Sequence, residues 1–422
     1  MSQWPSLAEK VFELVPELED VLEKSWFFDE AKKAHHGSTH PNGATPLVAM
    51  LLMLAESNKV DEIKKCSQIL TNEKAKKSKR LKELKGKDAY NSGTAWQAMS
   101  ELAILNKISQ SNDDLKYDET GADRTPDFII QLDKLTIGIE HTAPDEGSYM
   151  KRMRESVEND LKRAHDVTKI LNVLKKLQDE GHPDVVNTLT TSELEDITQS
   201  LTGTRKENGK SFTMISKEDL EREINGHKIE ECSVFSGQPY ALNRNPDAIE
   251  NIRYIRSLKV DGEQVKGCDF KILALSLPGH LYQRSDLKKI NRLEYPNSPD
   301  LVRLHSGVVW NGILGKENDV IYLGILEEHL IKRGWTYGTK TCDADGILVG
   351  DTSPYQAVII SIFPSHLHYM GTPNALTGGG LVVPHNLNPY CYLFLRTDKN
   401  VLPQNVIEKI KKEFGIIETF TR

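Results

Sequence analysis

Two acids on one short predicted hairpin constrain this chain more than any other feature. Residues 124–142 read Arg-Thr-Pro-Asp-Phe-Ile-Ile-Gln-Leu-Asp-Lys-Leu-Thr-Ile-Gly-Ile-Glu-His-Thr. Apolar residues alternate on either side of Asp133-Lys134, which predicts two strands joined by a two-residue loop. In that register Phe128 faces Ile139, Ile130 faces Ile137, and Asp127 faces Glu140. Like charges in directly opposed positions destabilise a sheet. A divalent cation between them would remove the repulsion and give the pair a use.

The same alternation sorts the faces. Phe128, Ile130, Ile137 and Ile139 share a core face; Asp127, Ile129, Gln131, Gly138, Glu140 and Thr142 share the other. Gly138 is expected to leave open space beside the carboxylates. The bland alternative is a half-exposed hairpin whose acids face water. Asp-Lys is not the favoured chemistry for a two-residue turn, and a slip of one residue would give Asp127 and Glu140 other neighbours.

The flanks add helices. Residues 91–108 predict a helix capped at Ser92 or Thr94, with Thr94 and Gln97 as a capping box. Glu101 lies on a largely apolar side of it, where a carboxylate is costly unless paired or metal-bound; the plain alternative is a boundary residue reaching water. A long helical pattern runs from Tyr149 to about Gly181, and Phe270–Leu277 reads as a strand.

Pro126-Asp127, a strand and turn, then Glu140-His141-Thr142 resembles the PD-(D/E)XK nuclease superfamily. The resemblance implies a restriction-endonuclease-like α/β core: a helix, a three-stranded antiparallel meander, a second helix and a further strand. It implies Mg²⁺ or Mn²⁺ held by Asp127, Glu140 and the backbone carbonyl of His141. Glu101 matches the glutamate of the first core helix, binding a second metal or orienting waters. Thr142 stands where the motif carries lysine, and would position the attacking water. A basic residue on the following helix, Lys151 or Arg154, is the other candidate for that task. The implied activity is metal-dependent phosphodiester hydrolysis of nucleic acid, DNA favoured over RNA, in restriction or antiviral defence. A homo-oligomer or a defence-system partner protein is implied on the same grounds. The rival is a nucleic-acid-binding scaffold that keeps the fold without turnover.

The chain divides into a helical N-terminal region (1–90), the nuclease-like core (91–181), a polar helical insertion (182–265) and a β-rich C-terminal region completing the sheet (266–422). Between Lys59 and Lys87 eleven Lys or Arg stand against four acids. Such a run is either a solvated helix face or a phosphate-contacting arm. The 422 residues carry a net charge of −7, which excludes a globally basic coat but not a local patch. Five cysteines without a CxxC pair suit a reducing, cytoplasmic setting. No signal peptide or membrane span is expected, and residues 46–55 read as a buried helix.

In the C-terminal region a helix is expected over 321–333, strands over 355–363 and 390–396, and a last helix over 403–414. Asp343 and Asp345 with the later strand loosely echo a second hairpin, but Ser361 holds its second acid position. His366 and His368, with His385, offer a zinc alternative. That reading makes the chain another kind of cytosolic hydrolase. No phosphate-binding GxxxxGK[ST] loop and no GxSxG elbow occur.

Overall fold

The structure is a computed structural model. It describes residues 4–34, 43–90, 92–110, 115–118, 125–144 and 248–258, and most of 265–422. The chain forms two compact units, Met1–Gly147 with Asn245–Arg422, and Ser148–Arg244. Everything described below belongs to the first. The predicted helix over 149–181, with Lys151 and Arg154, and nearly all of the insertion over 182–265 lie outside the described residues.

The N-terminal region is helical: α1 (Trp4–Leu14), α2 (Lys24–Lys33), α3 (Pro46–Glu56), α4 (Val60–Leu70), α5 (Glu73–Lys77), α6 (Lys79–Lys85) and α7 (Ser92–Ser109). α3 is buried almost all round, as its Leu-Met-rich sequence requires. Among the described residues no helix is long and apolar enough to cross a membrane.

The strands are β1 (Lys116–Tyr117), β2 (Phe128–Leu132), β3 (Leu135–Thr142), β4 (Phe270–Pro278), β5 (Asn291–Tyr295), β6 (Ser298–His305), β7 (Val320–Leu323), β8 (Ile325–Glu327), β9 (Gly338–Thr341), β10 (Ala357–Phe363), β11 (Ser365–Tyr369), β12 (Gly380–Pro384), β13 (Tyr390–Leu395) and β14 (Glu418–Phe420). Among the described residues three further helices are α8 (Ala248–Ser257), α9 (Val308–Leu314) and α10 (Gln404–Phe414). A mixed seven-stranded sheet in the order β1-β2-β3-β4-β10-β13-β14 is the centre. Its first three strands form an antiparallel meander, and β4 lies parallel to β3.

The predicted register is present: Phe128 pairs with Ile139 and Ile130 with Ile137. Asp133 takes φ 54° in the turn. Aspartate tolerates that left-handed conformation better than most residues, which is why a loop without glycine closes here. The four apolar residues are fully buried beneath α7 and the N-terminal helices. On the other face Leu273, Leu275 and Leu277 of β4 meet Val358 and Ile360 of β10, with α8 and α9 over them. β4 and β10 are covered on both sides, so their sequences are continuously apolar rather than alternating.

Two expectations are corrected. The helix read over 321–333 is replaced, as far as it is described, by β7 and β8. These pair with β9 and β6. Val-Ile-Tyr-Leu-Gly-Ile-Leu is β-branched and aromatic-rich, and available partner strands override its weak helical spacing. Nor does Gly138 leave space for a ligand. A Cβ placed there would meet Cys268 Sγ at 2.6 Å and Pro126 Cγ at 3.3 Å. The glycine admits its own neighbours.

Candidate active site

The site is built where the end of β3 meets the start of β2, α7 and α6. Asp127 stops short of the paired ladder, which begins at Phe128. Its carbonyl accepts from Asp118 N at 3.0 Å, which ties it to the meander's outer strand. Its Oδ2 accepts from His141 N at 2.7 Å. Glu140 is buried and shares a hydrogen bond with Asp127. The two carboxyls predicted to face each other do meet.

Two carboxylates in hydrogen-bond contact cannot both be charged cheaply. Burial, then the neighbouring charges of Asp127 and Glu101, push Glu140 up to about 9. Burial, then the charge of Glu101, pushes Asp127 up to about 6. Both shifts favour a proton shared between the two carboxyls, and their titrations belong to the pair rather than to either residue.

Glu101 is 2% exposed, so it is not a boundary residue reaching water. It is fully engaged. Arg80 Nε donates to Oε2 at 2.8 Å, and the Tyr117 hydroxyl donates to Oε1 at 2.9 Å. Gln97 Nε2 donates to Oε2 at 3.4 Å, and His141 Nδ1 lies 3.7 Å from it. Burial opposes its charge, but His141 and Arg80 outweigh that and hold Glu101 below the usual carboxylate range.

The side chain of His141 points to the core face, away from Glu140, as the period of two requires. Its Nε2 lies 2.9 Å from Ser276 Oγ on β4, and Gln97 Nε2 lies 3.1 Å from its Nδ1. Gln97 Nε2 also donates to the His141 carbonyl at 3.4 Å, and Gln97 Oε1 accepts from Ala143 N at 2.7 Å. Gln97 thus orients the end of β3. Thr142 is half-buried at the last position of β3, on the same strand face as Glu140.

Four contributors were not foreseen: Arg80, Tyr117, Ser78 and Ser276. The run containing Arg80 was legible only as a block of charge. Ser78 divides it. Its hydroxyl accepts from Arg80 N at 3.0 Å as the N-cap of α6, and lies 2.7 Å from Tyr117 Oη. The Tyr117 proton is committed to Glu101, so Ser78 donates to Tyr117. Capping there starts a new helix and sets Arg80 where it meets both Glu83 and Glu101.

The rest of the run is a largely solvated face. Lys76 pairs with Glu73 at 3.1 Å and Lys79 with Glu83 at 3.5 Å, while Lys74 binds the Leu115 carbonyl. Lys77 is exposed. Replacing Lys74, Lys76, Lys77 and Lys79 by Ala should therefore weaken nucleic-acid binding only modestly. The log–log salt slope should flatten by about 0.9, one duplex phosphate contact, because the other three have protein partners. Anisotropy titrations of a labelled duplex across a salt series give that slope.

Among the described residues the zinc alternative is not assembled. The rings of His366 and His385 lie 5.4 Å apart, with no third ligand described. His368 pairs in register with Leu381 on β12. Asp343 is taken by Arg253 and Arg256, and Ser361 Oγ lies 3.4 Å from Cys391 Sγ in the core. Among the described residues no group of three or more His, Cys, Asp or Glu side chains is arranged to hold a metal ion.

Compared with known protein families, with curated proteins and with solved structures, the chain matches none.

Proposed function

We propose that the chain is a metal-dependent nuclease in which Asp127, Glu140 and the carbonyl of His141 hold Mg²⁺ or Mn²⁺. One observation carries the reading: two acids from adjacent strands share a hydrogen bond at a sheet end, both pushed up by burial and by charge. A divalent cation would take the place of that shared proton. The donors are all hard oxygens, which those ions select, and Mg²⁺ is commonly bound by one or two carboxylates, with waters and substrate phosphate completing its shell. When bound, the ion would polarise the scissile phosphate and lower the pKa of a nearby water.

The chain's own residues do the rest. Asp127 and Glu140 give up their shared proton on loading. Glu101, its oxygens committed to Arg80 and Tyr117, adds fixed negative charge. Gln97 holds the end of β3 so that the His141 carbonyl and Thr142 keep their places. The Thr142 hydroxyl positions a water, whose oxygen bonds to phosphorus as one ester P–O bond breaks. One proton of that water leaves with the departing oxygen, giving an alcohol and a phosphate monoester. DNA is the favoured substrate and antiviral defence the favoured setting. Thr142 in the lysine position favours the second reading, a nucleic-acid-binding scaffold that loads the metal without turnover.

Proton linkage tests the loading step. Groups raised in the folded state favour folding below their unfolded pKa, and that advantage is lost as pH rises through the folded values. The metal-free protein should therefore lose stability from about pH 4 towards pH 9. Saturating Mg²⁺ should flatten that fall, and Glu140→Gln should lack most of it. Calorimetry near pH 7 in buffers of different ionisation enthalpy should show about one proton released per ion bound. Binding without proton release, or equal binding by Asp127→Asn, would place the ion elsewhere.

A further inference from the structure

Among the described residues of the basic run, Arg80 is the one turned into the site, and it is held there from both ends. Ser78 fixes its backbone at the start of α6. Nε is bound to Glu101 at 2.8 Å and Nη1 to Glu83 at 3.1 Å. A guanidinium has five N–H donors. Among the described residues Nη2 has no hydrogen-bond partner. The side chain is 21% exposed, so it is not sealed from solvent as Glu101 is. Its charge reaches both Asp127 and Glu140, lowering each against their mutual repulsion. Thr142 stands on the same strand face as Glu140, with a hydroxyl and no charge.

We propose that Arg80 supplies the positive charge that Thr142 cannot, its Nη2 donating to a non-bridging oxygen of the scissile phosphodiester. The inference rests on the nuclease reading and names the group that meets the substrate phosphate. Arg80 stays protonated throughout, so it takes no proton from the water. It stabilises the charge that builds on the non-bridging oxygens as the new P–O bond forms and the old one breaks. The two acids preorganise the guanidinium, leaving its outer edge to the phosphate, a geometry suited to arginine.

The test is Arg80→Ala on a labelled duplex DNA with Mg²⁺, alone and in a Glu101→Gln background. In both, kcat should fall roughly 100-fold, and guanidinium ion added to the solution should recover part of the loss. Arg80→Lys should retain more activity than Arg80→Ala. If Arg80→Ala costs nothing beyond Glu101→Gln alone, Arg80 acts only by holding Glu101, and the proposal falls. A second readout needs no turnover. In an Asp127→Asn background, Arg80→Ala should flatten the salt slope of binding to the same duplex by about 0.9; an unchanged slope overturns the contact. Asp127→Asn measured alongside separates the two ideas. If it cleaves normally, the Asp127–Glu140 metal site on which this inference rests fails. If it is inactive while Arg80→Ala is normal, only the role of Arg80 fails.

Discussion

Asp127→Asn and Glu140→Gln should each lower Mg²⁺- or Mn²⁺-dependent cleavage by at least about a thousand-fold while the protein stays folded. Each change removes one of two carboxylates from the proposed metal, and the charge stabilisation at stake is several kcal/mol, with about 1.4 kcal/mol for each tenfold. Folding should be spared for a stated reason: the two acids repel, and either amide keeps an acceptor for its neighbours. Asparagine at 127 still offers an oxygen to His141 N, 2.7 Å away in the wild type. Metal-free melting temperatures should thus match or exceed that of the wild type. Cleavage rates on duplex and single-stranded substrates, with parallel thermal melts, check both halves. Normal cleavage by either variant removes the site. A melting point lowered by several degrees with activity retained makes the acids structural.

Glu101→Ala should behave in the opposite way, unfolding the protein more easily whatever the metal. The change strands a partly buried guanidinium and the Tyr117 hydroxyl, which Glu101 satisfies at 2.8 and 2.9 Å. Removing one partner of a buried ion pair costs about 3–5 kcal/mol. Glu101→Gln, which keeps an acceptor oxygen, should cost less. Urea unfolding at constant pH measures both. A Glu101→Ala variant within 1 kcal/mol or so of wild type would show that water takes over the pairing. The pH dependence also has the other sign. Glu101 is held below the usual range, so its contribution is present above the unfolded pKa and fades as pH falls. Metal-free protein should be squeezed from both sides, by Glu101 in acid and by the Asp127–Glu140 pair in base.

The hairpin was legible because a period of two and a two-residue loop leave one register that buries Phe128, Ile130, Ile137 and Ile139 together. That register carries Asp127 and Glu140 with it. Glu101 was legible as an anomaly, a carboxylate on an apolar helix face. What paired it was not, because Arg80 lies 21 positions upstream in a run whose residues look alike by charge. Only the cap at Ser78 singles out Arg80, and a serine among lysines is a weak signal taken alone. The strands β7 and β8 were missed because their partners are distant in sequence, and pairing rather than spacing decides their form. Gly138 was misread because a missing side chain looks like vacancy until the neighbour that fills it, Cys268, is placed.

The parallel pairing of β3 with β4 has a consequence for how such a protein tolerates change in length. Parallel neighbours cannot be joined by a tight turn, so the chain leaves at Thr142 and must travel back before entering at Phe270. The entropy of closing such a connection grows only with the logarithm of its length, about 0.6 kcal/mol for each doubling. A longer or shorter connection therefore changes closure entropy little, while the departure point stays fixed beside Glu140.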